Sequence, residues 1–97
     1  MNNIMNEVAK LLGVEPLEQF TIKVTEYGEI LGCTVDDSII YRIDSELVHK
    51  GYNDGWSEWY GRNQDIFYKL CIGLYEVVKI PQENNSTNEN KNSINVN

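Results

Sequence analysis

The sequence predicts a small α+β domain, and three observations support this fold class. The N-terminal segment spaces its apolar residues as an amphipathic helix does. Three later stretches alternate apolar and polar residues as strands do, and short turn sequences separate them. The chain has 97 residues, which is enough for one domain with a modest core. We expect that domain over residues 1–81, with the element order α-β-β-β-loop-α-β.

The first predicted element is an N-terminal helix with a single apolar stripe. Asn2 or Asn3 can cap its start, because a short polar side chain accepts hydrogen bonds from the free N–H groups of a first turn. Gly13 suits the left-handed position after the last turn, and Pro16 stops the helix. The stripe has helical spacing and consists of Ile4, Met5, Val8, Leu11 and Leu12.

Three short strands are predicted next, with a break at Tyr27-Gly28 and a turn at Asp36-Asp37-Ser38. Short links between strands favour an antiparallel meander. Asp44-Ser45-Glu46 either ends the third strand or caps a helical turn. The apolar positions are Phe20, Ile22 and Val24 in the first strand, Leu31, Cys33 and Val35 in the second, and Ile39, Tyr41 and Ile43 in the third.

The C-terminal part of the domain is predicted as a loop, a short helix and a strand. Residues 51–61 contain three glycines and an Asn-Asp-Gly turn signal, which indicate a loop or a broad hairpin. A helix follows over about residues 64–72, and Gly73 ends it. Residues 75–80 then form a last strand, which Pro81 stops. The buried face of the helix is predicted to hold Ile66, Phe67, Leu70 and Cys71.

Residues 82–97 differ in composition from the rest of the chain. Seven of these 16 residues are Asn, and almost none is apolar. Such a segment cannot bury enough surface to offset the entropy lost on ordering. We therefore predict a disordered tail that is not part of the fold.

The charge of the chain is acidic, with 15 acids and 8 bases and a formal net charge of −7. An acidic surface repels the phosphate backbone, so direct nucleic-acid binding is not expected. No apolar run reaches the length of a signal peptide or a membrane span. We expect a cytoplasmic protein, with Cys33 and Cys71 as free thiols in a reducing compartment.

The side chains that could carry catalysis are few. His49 is the single histidine, and no Ser-His-Asp arrangement can be proposed around it beyond coincidence. A zinc site would need Cys33, His49 and Cys71 to converge. Cys33 and Cys71 occupy apolar positions of the pattern and are interpreted as small hydrophobic residues. No phosphate-binding glycine motif is present. The sequence therefore predicts no enzyme, no metal and no cofactor.

One stretch is unusually rich in aromatic residues: Tyr52, Trp56, Trp59 and Tyr60 fall within nine residues. The last three follow i, i+3, i+4 spacing, so a helical turn could align them. Two interpretations remain open. The rings either close the core of a small domain or form a rigid contact surface on a loop framed by glycines.

Two terminal segments and a short central one carry a family resemblance. Residues 8–15 read VAKLLGVE and are followed by Phe20-Thr21-Ile22-Lys23. Tyr41-Arg42-Ile43 gives a YRI segment, and residues 70–81 read LCIGLYEVVKIP. In these segments the chain resembles small accessory proteins of phages and prophages of Gram-positive bacteria, while the Gly- and Trp-rich centre departs from their pattern. The resemblance implies a phage accessory protein and supplies no catalytic residues.

Three functions are compatible with these features. The first is an anti-CRISPR-like inhibitor that binds a host defence protein, with an acidic surface on a basic groove and Trp56 or Trp59 as an anchor. The acidic residues expected to form that surface are Asp36, Asp37, Asp44, Glu46, Asp54 and Glu58.

The second is a sponge that sequesters a nucleotide immune signal. One of the aromatic side chains would stack on the base, and Arg42, Lys50 or Arg62 would hold the phosphate. The third is a structural or regulatory phage protein that acts through homo-oligomerisation. The first function is favoured narrowly over the second.

Overall fold

The computed structural model describes residues 2–51 and 58–81, which form three helices and one four-stranded sheet. Every strand pair is antiparallel, and the strands lie in the order β3-β2-β1-β4. The predicted α+β class is confirmed. The elements are α1 (Met5–Leu11), β1 (Phe20–Val24), α2 (Glu26–Ile30), β2 (Ile39–Ile43), β3 (Leu47–Gly51), α3 (Gln64–Cys71) and β4 (Tyr75–Lys79).

Helix α1 ends before Gly13 as the sequence predicts, but its N-cap is Ile4, one residue after Asn3, and its buried face is different. The side chain of Asn3 accepts a hydrogen bond from the Met5 N–H at 2.8 Å, and Gly13 has a φ of 85°. Ala9 is fully buried, and its small side chain lets the helix lie close to the sheet. The two ends of the predicted stripe lie outside this contact, since Ile4 is 62% exposed and Leu11 is 86% exposed.

Strands β1 and β4 form a regular antiparallel pair, with Val24 opposite Tyr75 and Phe20 opposite Lys79. Phe20 and Ile22 are buried, as their alternation predicts. Helix α3 precedes β4 and buries Leu70, and Gly73 ends it with a φ of 84°. Cys71 was predicted on the buried face of α3, but it is exposed, because it lies at the last position of the helix.

The predicted second strand, with Leu31, Cys33 and Val35, is wrong. The chain instead forms the five-residue helix α2, which begins after Thr25 and precedes a loop to β2. The Thr25 hydroxyl accepts a hydrogen bond from the Gly28 N–H at 3.0 Å, which is a helix cap. Cys33 and Val35 still pack against the core from this loop, which explains their apolar character without strand pairing.

Strand β3 is not predicted from the sequence. It pairs with β2, while the predicted strand that contains Leu31, Cys33 and Val35 does not form. Asp44-Ser45-Glu46 is the turn of a hairpin, with the Asp44 N–H donating to the Glu46 carbonyl at 2.9 Å. The residues that follow pair along the whole of β2, from Ile43 opposite Leu47 to Ile39 opposite Gly51. The three-stranded meander is therefore a hairpin joined through α2 to β1.

The two faces of the sheet have different surroundings. Helices α1 and α3 contribute Ala9 and Leu70 to the core, so they cover one face, which we term the core face. We term the other side the outer face. The core face carries Phe20, Ile22, Val24, Ile39, Tyr41, Ile43, Leu47, His49, Tyr75, Val77 and, at the exposed end of β4, Lys79, and the outer face carries Thr21, Lys23, Ile40, Arg42, Val48, Lys50, Glu76 and Val78.

Some predictions fall outside the described residues. These are the positions of Tyr52, Asp54 and Trp56 and the disordered tail over residues 82–97. Within residues 2–51 and 58–81, no helix has the length and apolar character needed to cross a membrane.

Candidate functional site

Residues 58–63 return to the free edge of β3 and continue the sheet. Tyr60 and His49 exchange two backbone hydrogen bonds of 2.8 Å each. Farther along, the Asn63 side chain donates to the Leu47 carbonyl at 2.8 Å, and the Arg62 N–H donates to the Glu46 carboxylate at 3.2 Å. This edge pairing fixes the backbone that carries Trp59.

Trp59 lies on the outer face, between two cationic side chains of the hairpin. The Arg42 Cζ atom is 4.2 Å from the centre of the Trp59 ring, and the Lys50 Nζ atom is 4.9 Å from it. Both distances are within the range of cation–π attraction. We call Arg42, Lys50 and Trp59 the Trp59 cluster.

The hairpin register brings the two cations together. Arg42 lies opposite Val48 and Lys50 lies opposite Ile40, so the two basic residues are diagonal neighbours on one face. Long side chains at such positions can reach a common partner. Trp59 occupies that shared position. Ile40, which lies between Arg42 and Lys50 on the same face, is 6% exposed.

The guanidinium of Arg42 keeps much of its hydrogen-bonding capacity. Its Nη2 atom is 3.8 Å from the Asp44 carboxylate, at the long end of an ion pair, and the side chain is 27% exposed. Its Nε atom is buried and has no hydrogen-bond partner within the described residues. A guanidinium offers five N–H donors, so the N–H groups on the two Nη atoms of Arg42 can bind a further acceptor, whereas the buried Nε cannot.

The outer face is basic, although the whole chain is acidic. It carries Lys23, Arg42 and Lys50 against one acid, Glu76, and Glu76 is already 3.4 Å from Lys23. The formal charge of the chain is −7, so positive and negative side chains are segregated. Lys23 was not among the predicted binding residues, although the alternation of β1 already places it opposite the buried positions.

Tyr60 lies on the opposite side from Trp59, so the predicted helical alignment of these two rings is wrong. In extended backbone, neighbouring side chains point to opposite faces. The Tyr60 ring centre is 5.9 Å from that of His49, which is 6.2 Å from Tyr41, and Tyr41 stacks 6.2 Å from Phe20. These four rings form a row across the core face.

Arg62 does not join the Trp59 cluster. Its backbone has a φ of 66°, a left-handed conformation that is uncommon outside glycine, and its N–H contacts Glu46. A Cβ atom on the preceding Gly61 would lie 2.7 Å from the same carboxylate. Glu46 therefore fixes the turn that leads from Trp59 to α3.

The predicted acidic residues form two groups and not one surface. Asp44 and Glu46 lie in the β2–β3 turn, and Glu58 precedes Trp59, so these three flank the Trp59 cluster. Asp36 and Asp37 lie before the other end of β2. The pKa of Asp36 is lowered because its carboxylate accepts hydrogen bonds from the Ser38 hydroxyl and the Ser38 N–H.

The described part of the chain contains no group of three or more His, Cys, Asp or Glu side chains that could hold a metal ion. Cys33 is half-buried, Cys71 is exposed, and both are free thiols. His49 lies between Tyr41 and Tyr60. The Trp59 cluster offers an aromatic ring and hydrogen-bond donors, which are groups that can contact a ligand or a partner.

A cavity of about 400 Å³ lies beside the β2–β3 turn and shares no residue with the Trp59 cluster. Leu17 lines it with a φ of 69° and donates its N–H to the Ile43 carbonyl at 2.9 Å. The cavity is an open groove between α1 and the hairpin. It contains no convergent set of charged groups, so the Trp59 cluster is the stronger candidate site.

Comparisons with protein families, with curated proteins and with solved structures give no match to this chain.

Proposed function

We propose that this chain is a phage-encoded, non-enzymatic binding protein that counters a bacterial defence by binding and inhibiting a host defence protein. The observation that supports it is the Trp59 cluster, an aromatic ring and two cations on a sheet face that no described helix covers. Trp and Arg are the residues that most often dominate the energy of a protein interface. The phage context comes from the sequence resemblance of the two ends of the domain.

Pre-organisation of the ring favours binding. The backbone of Tyr60 is fixed on β3 by two hydrogen bonds, and cation–π contacts with Arg42 and Lys50 hold the neighbouring Trp59 ring. A side chain that is already ordered loses less conformational entropy when a partner covers it. Most of the free energy gained by burying the Trp59 ring against a partner can therefore contribute to affinity.

The acids that flank the Trp59 cluster would form the rim of the contact. Asp44, Glu46 and Glu58 are exposed, so they would face basic side chains on the target. Charged rim residues mainly increase the association rate and weaken in effect as salt rises. We expect the affinity for the target to fall between low and high salt.

A nucleotide sponge is the second candidate, and the pair of cations at one ring favours it. Arg42 and Lys50 could both contact a phosphate, because their charged groups lie 4.2 and 4.9 Å from the centre of one ring. A thermal-shift panel of cyclic and linear nucleotides tests this function. Stabilisation of several degrees by one nucleotide, lost in Arg42→Gln, would support it, and no shift at millimolar concentrations would exclude it.

Capture experiments with matched variants test the favoured function. Tagged wild-type protein is compared with Trp59→Ala and with Tyr68→Ala, which removes an aromatic ring that is 61% exposed on α3. We expect Trp59→Ala to lose the target by about 10- to 100-fold in affinity, while Tyr68→Ala retains it. Equal retention by both folded variants, as shown by circular dichroism, would contradict the proposal.

A further inference from the structure

Helix α2 presents a group of apolar side chains to the solvent. Tyr27 is 62% exposed, Ile30 is 74% exposed and Leu31 is 57% exposed. They follow i, i+3, i+4 spacing and therefore share one side of the helix. Contiguous exposed apolar groups on a small protein often mark a contact surface. We call these three residues, with Glu26 and Glu29 beside them, the α2 surface.

The fold holds α2 firmly, although a five-residue helix is unstable alone. The Thr25 N–H and hydroxyl both donate to the Leu74 carbonyl, at 3.0 and 3.1 Å. Tyr75 donates its hydroxyl proton to the Thr34 carbonyl beyond the helix. Gly28 is buried so close to β4 that a Cβ atom would lie 2.5 Å from the Leu74 oxygen. The apolar side chains thus stand on a rigid support.

The charge around the α2 surface restricts what can cover it. The sequence between Lys23 and Arg42 contains four acids and neither Lys nor Arg. Glu26 and Glu29 are exposed on the helix itself. A second copy docked through the same surface would place these carboxylates against their own equivalents, which is repulsive. The complementary surface is an apolar pocket bordered by Lys or Arg.

We propose that the α2 surface docks into an apolar, Lys- or Arg-bordered pocket of a protein partner. Ile30 and Leu31 enter the pocket, while Glu26 and Glu29 face its basic border. This inference rests on the proposed function, because it states which surface of this chain contacts a basic region of the host target. The acidic contact predicted from net charge then includes α2, in addition to the acids that flank the Trp59 cluster.

The α2 surface and the Trp59 cluster can be tested separately because they lie in different parts of the sheet. Helix α2 follows β1 and contacts the start of β4, whereas Trp59 lies beside β3 at the other edge. Strands β3 and β4 are the two edges of the sheet and are separated by three strand spacings of about 4.8 Å each. A variant in one surface therefore does not contact the other.

Site-specific photo-crosslinking is the first step of the test. The full chain, with Tyr27 replaced by benzoylphenylalanine, is expressed in a Gram-positive bacterium and irradiated. A chain carrying the same residue at Tyr68 is the control. We expect one heterologous adduct from position 27, which disappears when Glu26→Lys and Glu29→Lys are introduced together. An adduct with the mass of two copies of this chain, or one that survives the charge reversal, would overturn the proposal, as would no adduct at all.

Affinity measurements with the purified crosslinked protein complete the test. We expect Ile30→Asp and the Glu26→Lys/Glu29→Lys pair each to raise the dissociation constant about tenfold or more, with unchanged melting temperatures since all three positions are exposed. Loss of affinity in Trp59→Ala but not in the α2 variants would overturn this inference and keep the Trp59 proposal. The reverse result would support the α2 surface and overturn the Trp59 cluster as the anchor.

Discussion

The two faces of the sheet are built from the same strands, yet they differ in burial and in chemistry. Tyr41 and Arg42 are neighbours in β2, but Tyr41 is 3% exposed and stacks on Phe20, while the Arg42 guanidinium contacts Trp59 on the outer face. The core face is covered by α1 and α3, and the outer face is covered by no helix of the described residues. The alternation of the strand therefore decides which neighbouring side chain is buried in the core and which is available to a partner under the proposed function.

This comparison also explains how an acidic chain keeps a basic site. The core face needs apolar residues, so most of the basic residues of the strands lie on the outer face, as Lys23, Arg42 and Lys50 do, while Lys79 lies at the exposed end of β4 opposite Phe20. Apart from Glu76 in β4, the acids of the described residues lie in the helices, loops and turns around the sheet. Changes in the core face should therefore alter the free energy of unfolding, and changes in the outer face should alter binding.

The largest effect is expected from Phe20→Ala in the core face. Phe20 is fully buried, and its removal leaves a cavity beside Tyr41, which costs about 3–5 kcal/mol of unfolding free energy. Urea denaturation measures this loss. Thr21→Ala, the adjacent change on the outer face, should cost less than about 1 kcal/mol, and equal losses would break the distinction between the faces.

Alkaline pH should destabilise the protein through a second core-face residue. Burial raises the pKa of Tyr41 to about 12, with smaller contributions from Tyr75 and Asp36. The unfolded chain releases this proton near pH 10. The stabilising contribution of the Tyr41 hydroxyl proton is therefore fully present below pH 10 and is lost as pH rises towards 12. The loss should reach about 2 kcal/mol after allowance for solvent screening. Stability measured from pH 8 to 12 should decline less in Tyr41→Phe, and identical curves would contradict the assignment.

A smaller effect is expected from Tyr75→Phe, which removes the hydroxyl that bonds to the Thr34 carbonyl. Tyr75 is 4% exposed, so the carbonyl loses its partner in a partly buried place, at a cost of about 1 kcal/mol. Thermal unfolding measures the change. Hydrogen exchange should also quicken in residues 25–34, because this bond closes the α2 segment onto β4, and unchanged exchange there would show that α2 is held by other contacts.

The smallest effect on stability is expected from Arg42→Gln on the outer face. The loss of one partly exposed cation–π contact should cost about 0.5–1 kcal/mol. The Trp59 emission should shift to longer wavelength, which fluorescence in a Trp56→Phe background can resolve. Lys10→Gln on α1 is the matched control and should leave the spectrum unchanged. A stability loss above about 2 kcal/mol would mean that Arg42 is part of the core.

Local sequence signals were sufficient for part of the fold. Gly13 and Gly73 mark the ends of helices, and Asn3 lies just before the start of α1. The alternation from Phe20 to Val24 predicts the strand β1, which pairs with β4. Helix α2 was missed because its stability depends on Leu74, a contact that local patterns do not show. Thr25 followed by Glu26 and Glu29 is nevertheless a helix-start signal, and it competed with the alternation of Leu31, Cys33 and Val35.

The candidate site was predicted in its residues but not in its arrangement. Arg42, Lys50 and Trp59 were singled out by chemistry, and their meeting depends on the register of a hairpin whose second strand was not predicted. His49 and Lys50 give β3 a weakly apolar pattern, so alternation did not reveal it. Trp59 and Tyr60 were placed together by helical spacing, whereas edge pairing separates them.

The most direct test of the central claim measures two quantities on Trp59→Ala: the free energy of unfolding and the dissociation constant for the captured host protein. If the outer face is the binding surface, unfolding changes by less than about 2 kcal/mol while the dissociation constant rises at least about tenfold. An unfolded variant, or a folded variant that binds as tightly as wild type, would contradict the account.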